Sequence, residues 1–226
     1  SGAFSAKNVG AVIDLDEYME FLSLYGSCFK GGYVSLDVLG DPHSSMRNLK
    51  QMVKENLTPM PVHVWGATQK EMDELFELST KVCLGGFRRP GRGSAPKQYV
   101  VEKMRWAAGR DVHWLGYTNK NAVTVLLPHS VDCASWKSAR MFATMFMYEG
   151  NGQGGNVDKA MARSRPLNRK QLQLLKDCNP PISRMDLDND ENWKGNASMS
   201  QKVTTLSWVK YVMDLRERFG VRNYLA

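Results

Sequence analysis

The sequence predicts an α/β protein, a (β/α)8 barrel of the TIM type followed by a helical C-terminal extension. Three observations carry this. Short apolar runs alternate five or six times with segments of helical period, as expected when each parallel strand is followed by a helix. The connections between them are short. Polar residues or glycines stand where the apolar runs end, at Asp37, Trp65-Gly66, Gly85-Gly86, Gly116 and Asp132; in such a barrel these ends form the active face. A doubly wound open sheet is the alternative architecture. No GxGxxG or P-loop glycine pattern follows a strand, which argues against a nucleotide-binding Rossmann or P-loop site.

Taken in order, "DLDEYMEFLSLYG" (14–26) spaces Leu15, Tyr18, Met19 and Leu22 as a helix does, with acids in its first turn. "YVSLDVLG" (33–40) reads as a strand and "SSMRNLKQMVKEN" (44–56) as a helix with a serine cap. "PVHVWG" (61–66) is a strand; "TQKEMDELFELST" (68–80) is a helix with Thr68 and Glu71 in capping-box spacing. Strand "VCLGGF" (82–87) and helix "APKQYVVEKMRWAAG" (95–109), closed by Gly109, come next. Then follow strand "DVHWLGY" (111–117), helix "NKNAVTVLLP" (119–128), strand "HSVDC" (129–133) and a helix start at 134–142.

Residues 1–150 therefore read as the barrel region and 151–226 as a helical extension packed on it. "EGNGQGGN" (149–156) reads as a flexible connector, 168–177 as a helix and 179–198 as a loop. "MSQKVTTLSWVKYVMDLRERFG" (199–220) reads as a terminal helix burying Val203, Leu206, Val209, Val212, Met213 and Leu215. "DLDNDEN" lacks the glycine and final glutamate of an EF-hand loop, so it reads as a solvated turn.

At 226 residues and 42% hydrophobic, the chain can bury a substantial core. No apolar run reaches the length of a membrane span, and no signal-peptide pattern opens the chain. The four cysteines and four histidines are scattered without zinc spacing, which predicts no metal, reduced thiols and a cytoplasmic setting. The charge of +7 favours a polyanionic partner. Its arginines gather in loop-like stretches, "FRRPGRG" (87–93) and "KAMARSRPLNRK" (159–170), which suit phosphate contact better than a solvated helix face does.

Two strand-end carboxylates stand out, Asp37 and Asp132. An aspartate in such a place commonly caps the next helix. A carboxylate on a barrel rim can also attack an anomeric carbon and hold the sugar covalently. A glycine pair such as Gly85-Gly86 lets backbone approach a flat ligand.

The order of these motifs resembles the tRNA-guanine transglycosylase superfamily over about residues 1–150. "SGAF" (1–4) is similar to the family's Asp-Ser-Gly-Gly-aromatic segment without its aspartate. "SLDV" (35–38) is similar to the strand whose Asp reads the guanine edge. "LGGF" (84–87) resembles the Gly-Gly-Leu loop under the base, and "HWLGYT" (113–118) the Leu-Met-Gly-Val-Gly strand. "VDCASW" (131–136) resembles the nucleophile segment. The resemblance implies that Asp132 attacks C1′ of the target nucleoside and that Asp37 accepts from the base. It implies that Phe4 stacks on the base, that Ser1 and Gly2 line its pocket, and that Gly85 and Gly86 hold its carbonyl by backbone N–H. Arg88, Arg89, Arg92, Lys137 and Arg140 would face nucleic-acid phosphates. The family's general-base Asp would precede Ser1, so the resemblance places the first barrel strand upstream.

The zinc motif of the tRNA enzymes is absent, and Trp65 stands where they carry a base-reading Gln. Trp65 leaves the choice of base open; the missing zinc motif, the compact size, Ala3 and "LDVLGDP" (36–42) are more similar to the phage and bacterial branch that places 7-deazaguanine bases in DNA. The implied reaction is guanine exchange in DNA with a free 7-deazaguanine as co-substrate and no other cofactor. Exchange on tRNA, or an inactive nucleic-acid-binding barrel, are the alternatives.

Overall fold

A computed structural model describes residues 10–89, 93–94, 97–133, 135–137, 139–194 and 198–225. It is a mixed α/β structure with parallel strands and a helical C-terminal region. The chain forms two compact units, residues 1–117 and 118–226. The expected boundary at 150/151 falls inside the second.

The first unit opens with α1 (Leu15–Tyr25), whose Asp14 cap accepts from the N–H groups of Asp16 and Glu17 and whose Met19 and Leu22 are buried. An extended run follows, in which Val34 bridges Met60 in parallel. Then come α2 (Pro42–Lys54), β1 (Val62–His63), α3 (Gln69–Leu78) and β2 (Lys81–Leu84). A small antiparallel hairpin, β3 (Arg88–Arg89) and β4 (Gly93–Ser94), precedes α4 (Lys97–Ala107) and β5 (Asp111–Trp114). Pairing is parallel throughout the main run: β1 meets β2 with His63 opposite Leu84, and β2 meets β5 with Leu84 opposite Trp114. The β3–β4 hairpin aside, each strand of this run thus lies beside the next, with a helix between, and the order β1-β2-β5 is not reversed.

The capping box at Thr68 is present as read: its hydroxyl accepts from Glu71 N–H and the Glu71 carboxylate accepts from Thr68 N–H. The serine cap for 44–56 is not. α2 begins earlier, at Pro42, with Asp41 accepting from Ser44 N–H at 3.0 Å. A proline at the first helical position carries the helical φ already and has no N–H to satisfy, so the helix starts there. One apolar cluster joins Met19, Leu22, Leu36, Met52 and Leu57; another joins Val62, Val64, Ala67 and Cys83.

The second unit contains α5 (Lys120–Leu126), β6 (Ser130–Cys133), α6 (Ala139–Phe142), β7 (Thr144–Gly150) and β8 (Gln153–Asp158). It continues with α7 (Lys159–Ser164), α8 (Arg169–Lys176), α9 (Arg184–Asp188), α10 (Met199–Phe219) and β9 (Arg222–Leu225). β6 and β9 pair in parallel, Asp132 opposite Tyr224. The glycine-rich stretch expected as a connector is instead the turn and return strand of the β7–β8 hairpin. Gly150, Asn151 and Gly152 take φ of +86°, +57° and +71°, so the glycines supply turn geometry rather than slack. The expected loop at 179–198 contains α9, started by a Ser183–Asp186 capping box.

The terminal helix is present, but its buried face differs from the apolar reading. Val209 and Met213 are exposed, whereas Ser200, Thr204, Ser207, Trp208 and Tyr211 are buried. The reason is hydrogen bonding: Thr204 Oγ1 accepts from Phe146 N–H at 3.0 Å and Ser207 Oγ from Tyr148 N–H at 3.2 Å. The helix hydroxyls satisfy the N–H groups that β7 turns away from β8, and buried donors must be satisfied somewhere. Around them Met145, Met147, Val157, Leu174, Leu187, Trp193 and Val203 form the core.

Candidate functional site

In the first unit, the parallel register puts the residues after Val34, His63, Leu84 and Trp114 on one edge of the strand run. Asp37 and Gly85-Gly86 therefore share the carboxyl edge. Asp37 is buried, at 7% exposure. Its backbone is fixed from α2: Asn48 Nδ2 donates to Leu36 O at 3.1 Å, and Val38 N–H donates to Ser45 Oγ at 2.9 Å. The cap of α2 is Asp41, so capping that helix is not the role of Asp37. Beside it, burial and then the Asp37 charge raise the pKa of Tyr18, whose hydroxyl donates to Val34 O.

The glycine pair is built tightly. Gly85 N–H donates to His63 O at 2.9 Å, and Tyr99 Oη donates to Gly85 O at 3.0 Å. The Gly85 N–H is thus engaged in the strand run, which leaves Gly86 as the member of the pair to approach a ligand. Gly86 has φ +76°, and a Cβ there would stand 2.8 Å from Trp65 Cβ and 2.9 Å from Trp65 N. Only glycine fits both the dihedral and the contact. Trp65 packs against Tyr99 with ring centroids 4.4 Å apart and planes tilted by 31°, and Phe87 stacks flat on Tyr117 at 4.5 Å. The strand ends thus carry an aromatic shelf.

Trp65, Tyr99, Lys97, Glu102, Lys103 and Arg105 line an open cleft of about 880 Å3 beside this shelf. Lys103 is 3% exposed. Its Nζ donates to Ala67 O at 3.0 Å and stands 3.4 Å from the Trp106 ring centroid. Burial pulls its pKa down to about 8. His63, at 0% exposure, has Nε2 at 3.1 Å from Thr68 O, so Nε2 is the protonated nitrogen; Nδ1 has no partner. Burial depresses its pKa to about 4. Neither residue was singled out from sequence, although one signal existed: Tyr99, Val100, Lys103 and Ala107 recur at helical spacing, which puts the lysine on the buried face of α4.

In the second unit, Asp132 lies on β6, half-buried, and Lys137 is exposed at 5.2 Å from the Trp136 ring centroid. Gln201 Nε2 from α10 donates to Trp136 O at 2.7 Å and fixes the turn beyond the strand. Ser1, Gly2, Phe4 and Arg92 lie outside the described residues. Arg88 and Arg89 sit on β3 and Arg140 on α6, but their side chains also fall outside what is described.

Among the described residues, no group of three His, Cys, Asp or Glu side chains is placed to hold a metal ion, and no helix is long and apolar enough to cross a membrane. No protein-family model, curated protein or solved structure matches this chain.

Proposed function

We propose that the protein exchanges guanine for a 7-deazaguanine base in DNA through a covalent Asp132–sugar intermediate, on a (β/α)8 barrel. One observation carries the reading furthest. Asp37 and Gly86 share the carboxyl edge of an unreversed parallel strand run, beside an aromatic shelf made by Trp65 and Tyr99. A purine needs these things: a flat surface, a carboxylate for its N–H edge and a backbone N–H for its carbonyl. Asp37 supplies the acceptor and Gly86 the donor, while Gly85 holds the loop to the sheet.

The chemistry follows from the carboxylate. The target nucleotide leaves the stack. The Asp132 carboxylate forms a bond to C1′ as the C1′–N9 bond breaks through an oxocarbenium-like transition state; the electron pair leaves with guanine, which takes up a proton. N9 of the free 7-deazaguanine then attacks C1′, loses its proton and displaces Asp132. The excess of 30 basic over 23 acidic residues favours the polyanion.

The test is incubation of the full-length protein with labelled 7-deazaguanine and either DNA or tRNA. Label in DNA is expected; label only in tRNA overturns the choice of DNA. Asp132→Asn should abolish a denaturation-resistant nucleic-acid adduct while binding persists, and an adduct that survives places the nucleophile elsewhere.

A further inference from the structure

The second unit holds a cavity of about 250 Å3. This is below the ~300–1,000 Å3 typical of sites for drug-sized ligands, so it suits a single chemical group or a small fragment. Its polar wall comes from Thr118, Lys120, Thr144 and Asn156, with Phe146 and Trp208 as apolar floor.

Lys120 is the telling residue. Its Nζ donates to Gly154 O at 3.1 Å and stands 3.5 Å from the Phe146 ring centroid. A carbonyl and a ring face hold the ammonium in place but leave its charge uncompensated. No ion pair reaches it among the described residues, and burial draws its pKa down to about 8. Thr204 also lines the cavity; its Oγ1 already accepts from Phe146 N–H, so its hydroxyl proton is left to donate. One half-buried cation is thus faced by neutral hydroxyl and amide groups from the segment before α5 (Thr118), β7 (Thr144), β8 (Asn156) and α10 (Thr204).

We propose that this cavity binds a tetrahedral oxyanion of the phosphate class, with Lys120 as counter-charge and the three threonines and Asn156 as neutral donors. A lysine is a point charge that suits a phosphate approached from several sides, whereas a planar carboxylate favours the arginine fork. The proposal stands apart from the role of Asp132. The phosphate group belongs either to a nucleic-acid backbone or to a free anion.

The test is NMR titration of the 15N-labelled full-length protein with inorganic phosphate, ionic strength held constant with chloride. Saturable shifts are expected at the amides of Thr118, Thr144 and Asn156. They should weaken at least tenfold in Lys120→Met, and equally in Asn156→Asp, which sets a negative charge in the cavity without touching the lysine. Should Lys120→Met fail to fold, Asn156→Asp alone decides. Absence of saturation, or unchanged affinity in the folded variants, overturns the proposal. A second arm uses a single-stranded oligodeoxynucleotide: shifts at the same amides, competed by phosphate, identify the phosphodiester as the source, and saturation by inorganic phosphate alone identifies a free anion.

Discussion

Lowering the pH from 6.5 to 4 should destabilise the protein through His63, before most carboxylates titrate. The imidazole has an ordinary pKa of 6.5 and is held at about 4 in the folded chain, chiefly by burial. Between these values the unfolded chain binds a proton that the native state refuses, so stability rises with pH across this window and falls as acid is added. Below about pH 4 both states are protonated and the cost is fully present. The descent from 6.5 to about 4 corresponds to about 3 kcal/mol. This is a large part of the ~5–15 kcal/mol typical of a folded domain. Structure supplies the reason: Nε2 donates to Thr68 O, so a new proton would fall on Nδ1, which is buried without a partner; the residue lines a pocket of only about 10 Å3 with Ser35, Ser45 and Glu71 among apolar groups. Glu71 is one counter-charge in reach, but its carboxylate is already engaged by Thr68 N–H and Oγ1. The assay is urea unfolding at pH 7, 6, 5 and 4.5 for the native protein and for His63→Gln, which retains an N–H donor for Thr68 O but has no proton to gain. The native curve should fall relative to the variant by about 1.4 kcal/mol per pH unit within the window. Parallel curves would refute the reasoning.

Other perturbations have definite outcomes. Gly86→Ala forces a side chain into φ +76° against the Trp65 backbone and should cost about 1–3 kcal/mol in urea unfolding; under the proposed reaction it also weakens base binding, read by competition with free guanine. Lys103 lies at about 8 against an ordinary 10.5, so stability should rise between pH 8 and 10.5 in the native protein but not in Lys103→Met, as thermal unfolding would report. Thr204→Val keeps the shape of the side chain but strands the buried Phe146 N–H, for an expected loss of about 1–3 kcal/mol, measured by denaturant midpoint. If nucleic acid is the partner, its affinity should fall steeply from 50 to 200 mM salt in a filter-binding assay.

Local chemistry was the most legible part of the sequence. The Thr68–Glu71 box, the strand at 130–133 and the helices at 15–25, 69–78 and 169–176 follow from spacing and caps that act over a few residues. What escaped depends on partners distant in the chain. The buried face of α10 is set by the N–H groups of Phe146 and Tyr148, about sixty residues earlier, so hydroxyl residues face inward and Val209 outward, against the apolar rule. The glycines at 150–155 read as slack, because composition does not distinguish a turn with positive φ from a linker. At the candidate site, Asp37 and the Gly85-Gly86 pair were visible as polar or glycine residues ending apolar runs. His63 and Lys103 were not, since their altered acidity comes from packing. The Gly85 N–H shows the same limit: sequence offered both glycines as donors, and the strand pairing engages one of them.

The hydroxyl contacts from α10 bear on more than one helix. An outer strand with unsatisfied N–H groups is a template on which another chain can add. Here Thr204 and Ser207 occupy the positions a neighbouring strand would take, so the ribbon at 144–158 is sealed by side chains rather than by backbone. Removing both hydroxyls would open that rim, and self-association at high concentration should follow even where the monomer still folds.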